Sequence, residues 1–108
     1  SLAMAKLLVN RAHSRGLAAG QKNASELGSS ARRTAGYDFA IAEECERYRE
    51  CDAYTSVYGN RVIEVEYTDY STAIYQRACT ARGADMSIVL RDRLLVPAGA
   101  PGYRYEQC

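Results

Sequence analysis

The sequence lacks tryptophan, has one phenylalanine and one histidine, and holds two prolines in 108 residues. A single histidine and no C-x-x-C pair rule out the usual structural zinc sites, so no metal is expected. Lys plus Arg total 14 against 13 acidic residues, a net charge of +1. That balance gives no basic patch for nucleic acid and no basic run for an anionic membrane. No apolar stretch approaches the ~20 residues of a membrane span. Walker loops, dinucleotide fingerprints and a Ser/His/Asp set are absent as well, so no cofactor is expected. The chain begins at Ser1 and continues without a signal-peptide pattern, straight into a helical stretch. It is therefore expected to be a piece of something longer.

What is present is one small domain's worth of chain with a real core. Nine tyrosines supply almost all the aromatic content. Most are expected to fill core and surface with the hydroxyl outward. Four cysteines fit two disulfides and an oxidising compartment. Of the three possible pairings, Cys45–Cys51 (local, fixing a loop) with Cys79–Cys108 (tying the tail to an earlier element) is favoured.

Hydrophobic periodicity sets the order of elements. Ser1 to Arg15 reads as an amphipathic helix, with Leu2, Ala5, Leu8, Val9 and Ala12 on one face, Ser1 as cap and Gly16 as stop. His13, near its end, reads as a helix-surface or packing residue. Leu17 to Lys22 is a short strand, and the polar stretch Ala24 to Ala35 a short or broken helix. Asp38 to Glu43 is a strand whose apolar run Phe39–Ala42 suits burial on both faces. Glu44 to Tyr58 is loop and partial helix. Arg61 to Glu66 is an alternating strand, with Val62, Glu64 and Glu66 on one face and Ile63 and Val65 on the other. Thr72 to Arg82 is a helix, Met86 to Leu90 a buried strand, and residues 93–108 an irregular tail.

Strand ends thus recur at Lys22, Glu43, Glu66 and Asp92, roughly every 20–25 residues, the mark of a repeated strand–helix unit. Alternating strands and helices argue for a parallel α/β sheet. In such a sheet all C-terminal strand edges lie on one side, where (β/α)8 barrels build their active sites. Four units make half a barrel, and 108 residues also suit an open doubly wound sheet. Paired carboxylates such as Glu43 and Glu66 on neighbouring strand ends suit a glycosidase, which sets its two carboxyls ~5–9.5 Å apart. Glu44 should point away from Glu43 and not share its task. The plainer reading is that these acids pair with Lys22, Arg61 or Arg91. Lys22 is either the ion-pair partner of Glu43 or, if desolvated, a Schiff-base nucleophile. Asn23-Ala24-Ser25 matches a glycosylation sequon, but its place past a strand end favours a polar contact.

The segments AHSRGLAAGQKN, YDFAIAEECERYRECDAY, RVIEVEY and SIVLRDRLLVPAGAPGYRYEQC together resemble the C-terminal portion of glycoside hydrolase family 114, the endo-α-1,4-polygalactosaminidase-like secreted proteins. The EEC…EC block carries most of the likeness. Residue by residue, Lys22-Asn23 matches the family's Lys-Asn strand end, Glu43 its catalytic glutamate, Cys45 and Cys51 its cysteine pair, and Glu66-Tyr67 its Glu-Tyr strand end. The resemblance implies a (β/α)8 TIM barrel whose last four strands are these, with residues 1–108 a single partial domain. It implies an extracellular hydrolase of α-1,4-linked galactosamine polymers. Glu43 would be catalytic, and Lys22, Asn23, Glu66, Tyr67 and Asp92 would bind substrate. A cleft lined by Glu43, Glu66, Asp69 and Asp92 suits a polycationic chain. The family's second catalytic residue, an aspartate on an earlier strand, has no match. Asp38 precedes a strand instead of ending one. The chain is thus expected to lack the N-terminal half of its barrel and to be inactive alone. Two other functions fit the residues. One is a non-catalytic carbohydrate binder using Tyr48, Tyr54, Tyr58 and Tyr67. The other is an aldolase-like lyase using Lys22.

Overall fold

The computed structural model describes residues 1–108. Helix α1 spans Leu2–Ser14, capped by the Ser1 hydroxyl, which accepts from the Met4 N–H at 3.3 Å. Gly16, at φ +73°, ends it in the left-handed conformation that a Cβ disfavours. Of its expected face, Val9 is buried and Leu2, Ala5 and Ala12 are half-buried, whereas Leu8 stands out with Met4 and Leu7. Strand β1 is Gly20–Lys22, shorter than the expected Leu17–Lys22. A 3-10 turn at Ser25–Leu27 and a π turn at Ala31–Ala35 follow, the broken helix that the Gly-Ser-Ser interruption predicts. Strand β2 is Phe39–Glu43, helix α2 Cys51–Tyr58, and strand β3 Val62–Tyr67. Helix α3 is Thr72–Arg82, with Ser71 accepting from the Ala73 N–H, and strand β4 is Ser87–Arg91.

The four strands pair in parallel in chain order. Parallel pairing needs a crossover between strands, and α2 and α3 supply two of them. Both helices cover the same face of the sheet. There Ala40 and Ala42, with no exposed surface, leave room for Tyr54, Tyr58 and Tyr75, which pack with Val62, Ala78, Met86, Ile88 and Leu90. The other face carries Phe39, Ile41, Val65 and Val89, each only partly buried, and the exposed Ile63. Gly20 lies opposite Phe39 in the register, and a Cβ there would meet the Phe39 ring at 2.5 Å. The glycine lets that ring lie across the edge strand.

The tail departs from the irregular wrap expected for residues 93–108. Tyr105–Gln107 forms a fifth strand, β5, antiparallel to β4. All three of its residues are exposed, so no alternation marks it in the sequence. It is held from outside itself: Cys108 is disulfide-bonded to Cys79 on α3, and Asp92 gathers the intervening loop. The outer edges of the sheet are therefore β1 and β5, not β1 and β4.

Candidate active site

Parallel register brings the C-terminal ends of β1, β2 and β3 to one edge, and Glu43 stands at its centre. Lys22 Nζ lies 3.1 Å from Glu43 Oε1. Asn23 grips the same residue twice: its Oδ1 accepts from the Glu43 N–H at 2.8 Å, and its Nδ2 donates to Oε2 at 3.3 Å. Tyr67, at the end of β3, shares the open face with Glu43, whose register partner Val65 lies two residues before it, and the two groups are close enough to act on each other's charge. Partial burial pushes the Glu43 carboxyl up. The contacts from Lys22, Asn23 and Tyr67 outweigh it and hold the group below its ordinary range. In return, burial and the Glu43 charge push the Tyr67 phenol up to about 12, so it remains a donor.

The backbone is bent hard at this edge. Asn23, Ala24 and Glu44, directly beyond the ends of β1 and β2, have φ of 57°, 66° and 61°. Non-glycine residues held there cost of order 1–3 kcal/mol each and gather at functional sites. The turn at Glu44 ends the alternation, yet its N–H still donates to the Val65 carbonyl at 2.7 Å. Its buried carboxylate pairs with Arg47 at 3.1 Å and with Arg93. The Cys45–Cys51 disulfide closes the loop that follows. Beside Glu43, a cavity of about 310 Å³ is lined by Asn23, Ala24, Ser25, Glu26, Glu43, Tyr48, Glu50 and Tyr54. That volume lies at the small end of ligand sites.

Two expected site residues lie elsewhere. Glu66 does not join Glu43. One step along β3 from Tyr67, its side chain points to the opposite, helix-covered face, as strand alternation requires. It is 2% exposed, and one carboxylate oxygen accepts from the Glu46 N–H at 3.1 Å. Beside it, Glu64 is fully buried and paired with Arg82 at 3.0 Å. Arg82 also holds Glu46, at 2.6 Å, and Arg77 joins Glu46 at 2.7 Å. Both guanidiniums are spent on other acids. Burial and its neighbour Glu64 push the Glu66 carboxyl up, to about 8. Asp92 likewise serves the fold: it accepts from the Val96 and Arg104 N–H groups at 2.9 and 3.2 Å and pairs with Arg91 at 3.2 Å. Those backbone donors hold it low.

Arg93 was not among the residues expected to matter. It clamps Asp69 through Nε and Nη2 at 3.1 and 3.0 Å, and its guanidinium sits 4.2 Å from the Tyr67 ring centre. A tail arginine two residues past a strand end carries no periodic signal, so only the third dimension finds it. Asp38 pairs with His13 at 2.7 Å and accepts from the Ala19 N–H, far from this edge in role. The sulfurs of Cys45 and Cys51 come close to Glu64, but they are bonded to each other and offer no thiolate to a metal.

The profile of glycoside-hydrolase family GH114 matches residues 1–108. No curated protein matches the chain. Among solved structures, the crystal structure of Ega3 from Aspergillus fumigatus in complex with galactosamine superposes with a TM-score of 0.77 at 25% identity. The superposition covers 99% of this chain and 44% of that one, so the chain spans under half the length of that structure. The sheet and its helices correspond to a portion of a (β/α)8 barrel.

Proposed function

Since the chain belongs to glycoside-hydrolase family GH114 over its whole length, we propose that it contributes one half of the active site of a secreted hydrolase of α-1,4-linked galactosamine polymers. The observation that carries this reading is Glu43: a carboxylate at the C-terminal edge of a parallel sheet, fixed by Lys22 and Asn23. Active sites of (β/α)8 enzymes are built at that edge. Glycosidases work with two carboxyls, one donating a proton to the leaving oxygen and one acting as base or nucleophile. Galactosamine without its acetyl group carries an ammonium. The cavity beside Glu43, with Glu26, Glu50, Tyr48 and Tyr54 on its walls, offers carboxylates to that ammonium and aromatic faces to the ring. Lys22 and Asn23 bind and orient, and Tyr67 presents a hydroxyl next to the reacting group.

The partner carboxylate comes from the part of the barrel outside these residues. The acids at and just past the ends of β2–β4 are engaged: Glu44 and Asp69 with Arg93, Asp92 with backbone donors, and Glu66 on the covered face. Bringing a second carboxylate toward Glu43 raises the pKa of one of the pair, which sets the acid apart from the base. The partly buried Ile41, Val65 and Val89 and the exposed Ile63 then become barrel interior. Two disulfides fit the oxidising environment of a secreted protein. A Schiff-base lyase finds no support, because Lys22 is 64% exposed and paired with Glu43, the reverse of a desolvated amine.

Release of reducing ends from an α-1,4-galactosamine polymer tests the proposal. The 108-residue chain is expected to release none, and the protein with a completed barrel is expected to cleave. Cleavage by the short chain alone overturns the missing-partner reading; no cleavage by the completed barrel overturns the hydrolase reading.

A further inference from the structure

We infer that Arg93 is a positioning residue for the reaction at Glu43: its guanidinium, locked by Asp69 and Glu44, holds the Tyr67 ring in place on the neighbouring strand end, beside the Glu43 carboxylate. The inference rests on the reading of Glu43 as a reacting group. Its geometry stands independently of that reading.

Arg93 joins three strand ends. Glu44 follows β2, Tyr67 ends β3 with Asp69 two residues on, and Arg93 itself follows β4. Asp69 takes the guanidinium bidentately, at 3.0 and 3.1 Å, which fixes its plane. Glu44 binds the same Nη2, in an ion pair without hydrogen-bond geometry. The guanidinium carbon lies over the Tyr67 ring, 4.2 Å from its centre, with the Tyr70 ring further out at 5.6 Å. A cation over an aromatic face is held by the ring quadrupole. Tyr67 is buried although it ends a strand on the half-open face of the sheet.

The strain at Glu44 belongs to the same device. Its left-handed backbone turns a carboxylate away from the substrate edge and toward Arg93 and Arg47. Arginine suits this place where lysine does not, because only a planar fork can chelate Asp69 and stack on Tyr67 together.

The test reads the titration of the Glu43 carboxyl by carbon-detected NMR in the 108-residue chain, without relying on turnover. Tyr67→Phe removes the phenol and is expected to move the Glu43 midpoint up, since a donor that holds it down is lost. Arg93→Lys keeps the charge but loses the fork, and is expected to move it the same way. Asp69→Asn separates the explanations. Removing a negative charge by itself shifts Glu43 down; loosening Arg93, and through it Tyr67, shifts it up. We expect the upward shift, and expect neither Arg93→Lys nor Asp69→Asn to add to it once Tyr67 is Phe. A downward shift with Asp69→Asn, or an Arg93→Lys effect that persists in the Tyr67→Phe background, overturns the inference. In the completed barrel, Arg93→Lys is expected to lower kcat roughly 10- to 100-fold with KM little changed, the size of effect that loss of alignment produces. An unchanged kcat there overturns it too.

Discussion

Glu66→Gln should flatten the pH dependence of stability. Glu66 sits on the helix-covered face beside Glu64, and the nearby guanidiniums, Arg82 and Arg77, are committed to Glu64 and Glu46. With no cation left for it, its carboxyl is pushed up by burial and by Glu64 to about 8, against 4.5 ordinarily. Between those values the folded chain binds one proton that the unfolded chain does not. Stability is therefore fully present below the ordinary value and is lost as pH rises to the folded one, by about 1.4 kcal/mol per pH unit at most. Over pH 5 to 8 that reaches up to about 4 kcal/mol. The acids held low, Asp38, Glu43, Glu46, Asp69 and Asp92, act in the opposite sense. Their stabilisation is present above the ordinary carboxylate range and disappears as pH falls through their folded values. Above pH 5 they are largely ionised in both states, which leaves Glu66 as the carboxylate that sets the slope. Glutamine keeps the acceptor for the Glu46 N–H and carries no charge at any pH. Urea unfolding at pH 5, 6, 7 and 8 should thus show wild type losing stability stepwise and Glu66→Gln staying nearly level. Parallel slopes for the two proteins would refute the argument.

Further predictions follow from the disulfides and the buried charges. Replacing Cys79 and Cys108 by Ser releases a closure of 29 residues in sequence separation, costing about 3.5 kcal/mol by loop entropy. At ~4–8 °C per kcal/mol, calorimetry should show a melting point lower by about 15 °C or more, and amide exchange should show β5 unprotected. Arg82→Ala strands the fully buried Glu64 carboxylate and should cost about 3–5 kcal/mol in denaturant unfolding. Glu64→Gln with Arg82→Met, which removes both charges, should recover most of that loss. Asn23→Ala deletes both contacts to Glu43 and places a β-carbon residue without a compensating polar side chain at φ 57°. It should cost about 1–3 kcal/mol and move the Glu43 titration upward.

Much of the fold was legible because it rests on local signals. Ser1 caps and Gly16 stops α1; Thr72–Arg82 is a helix to the residue; the strand ends at Lys22 and Glu43 fall where the apolar runs end. The alternation in RVIEVE assigns Val62, Glu64 and Glu66 to one face, and they do share one. What it leaves open is which face the helices cover. Carboxylates are expected on the wetter side, but here the buried side carries them. Arg82, eighteen residues past Glu64, makes that burial tolerable, and no local pattern announces such a partner. With that partner out of sight, the strand-end position alone puts Glu66 at the site, whereas the structure puts it on the covered face. Asp92 was placed there for ending a strand, yet the turn it organises depends on Val96 and Arg104, four and twelve residues away. Strand β5 was invisible for a related reason: its partner and its disulfide hold it, and its own residues are all exposed. Glu43, Lys22 and Asn23 lie together because parallel register sets Lys22 beside Ile41, two residues from Glu43.

The sharpest measurement is turnover of an α-1,4-galactosamine polymer by the completed barrel carrying Glu43→Gln. Glutamine keeps the volume and the Asn23 contact while removing the charge and the titrating proton. The account predicts a fall in kcat of roughly 10²–10⁴-fold or more, with the fold intact by circular dichroism. Undiminished turnover in that variant would contradict it.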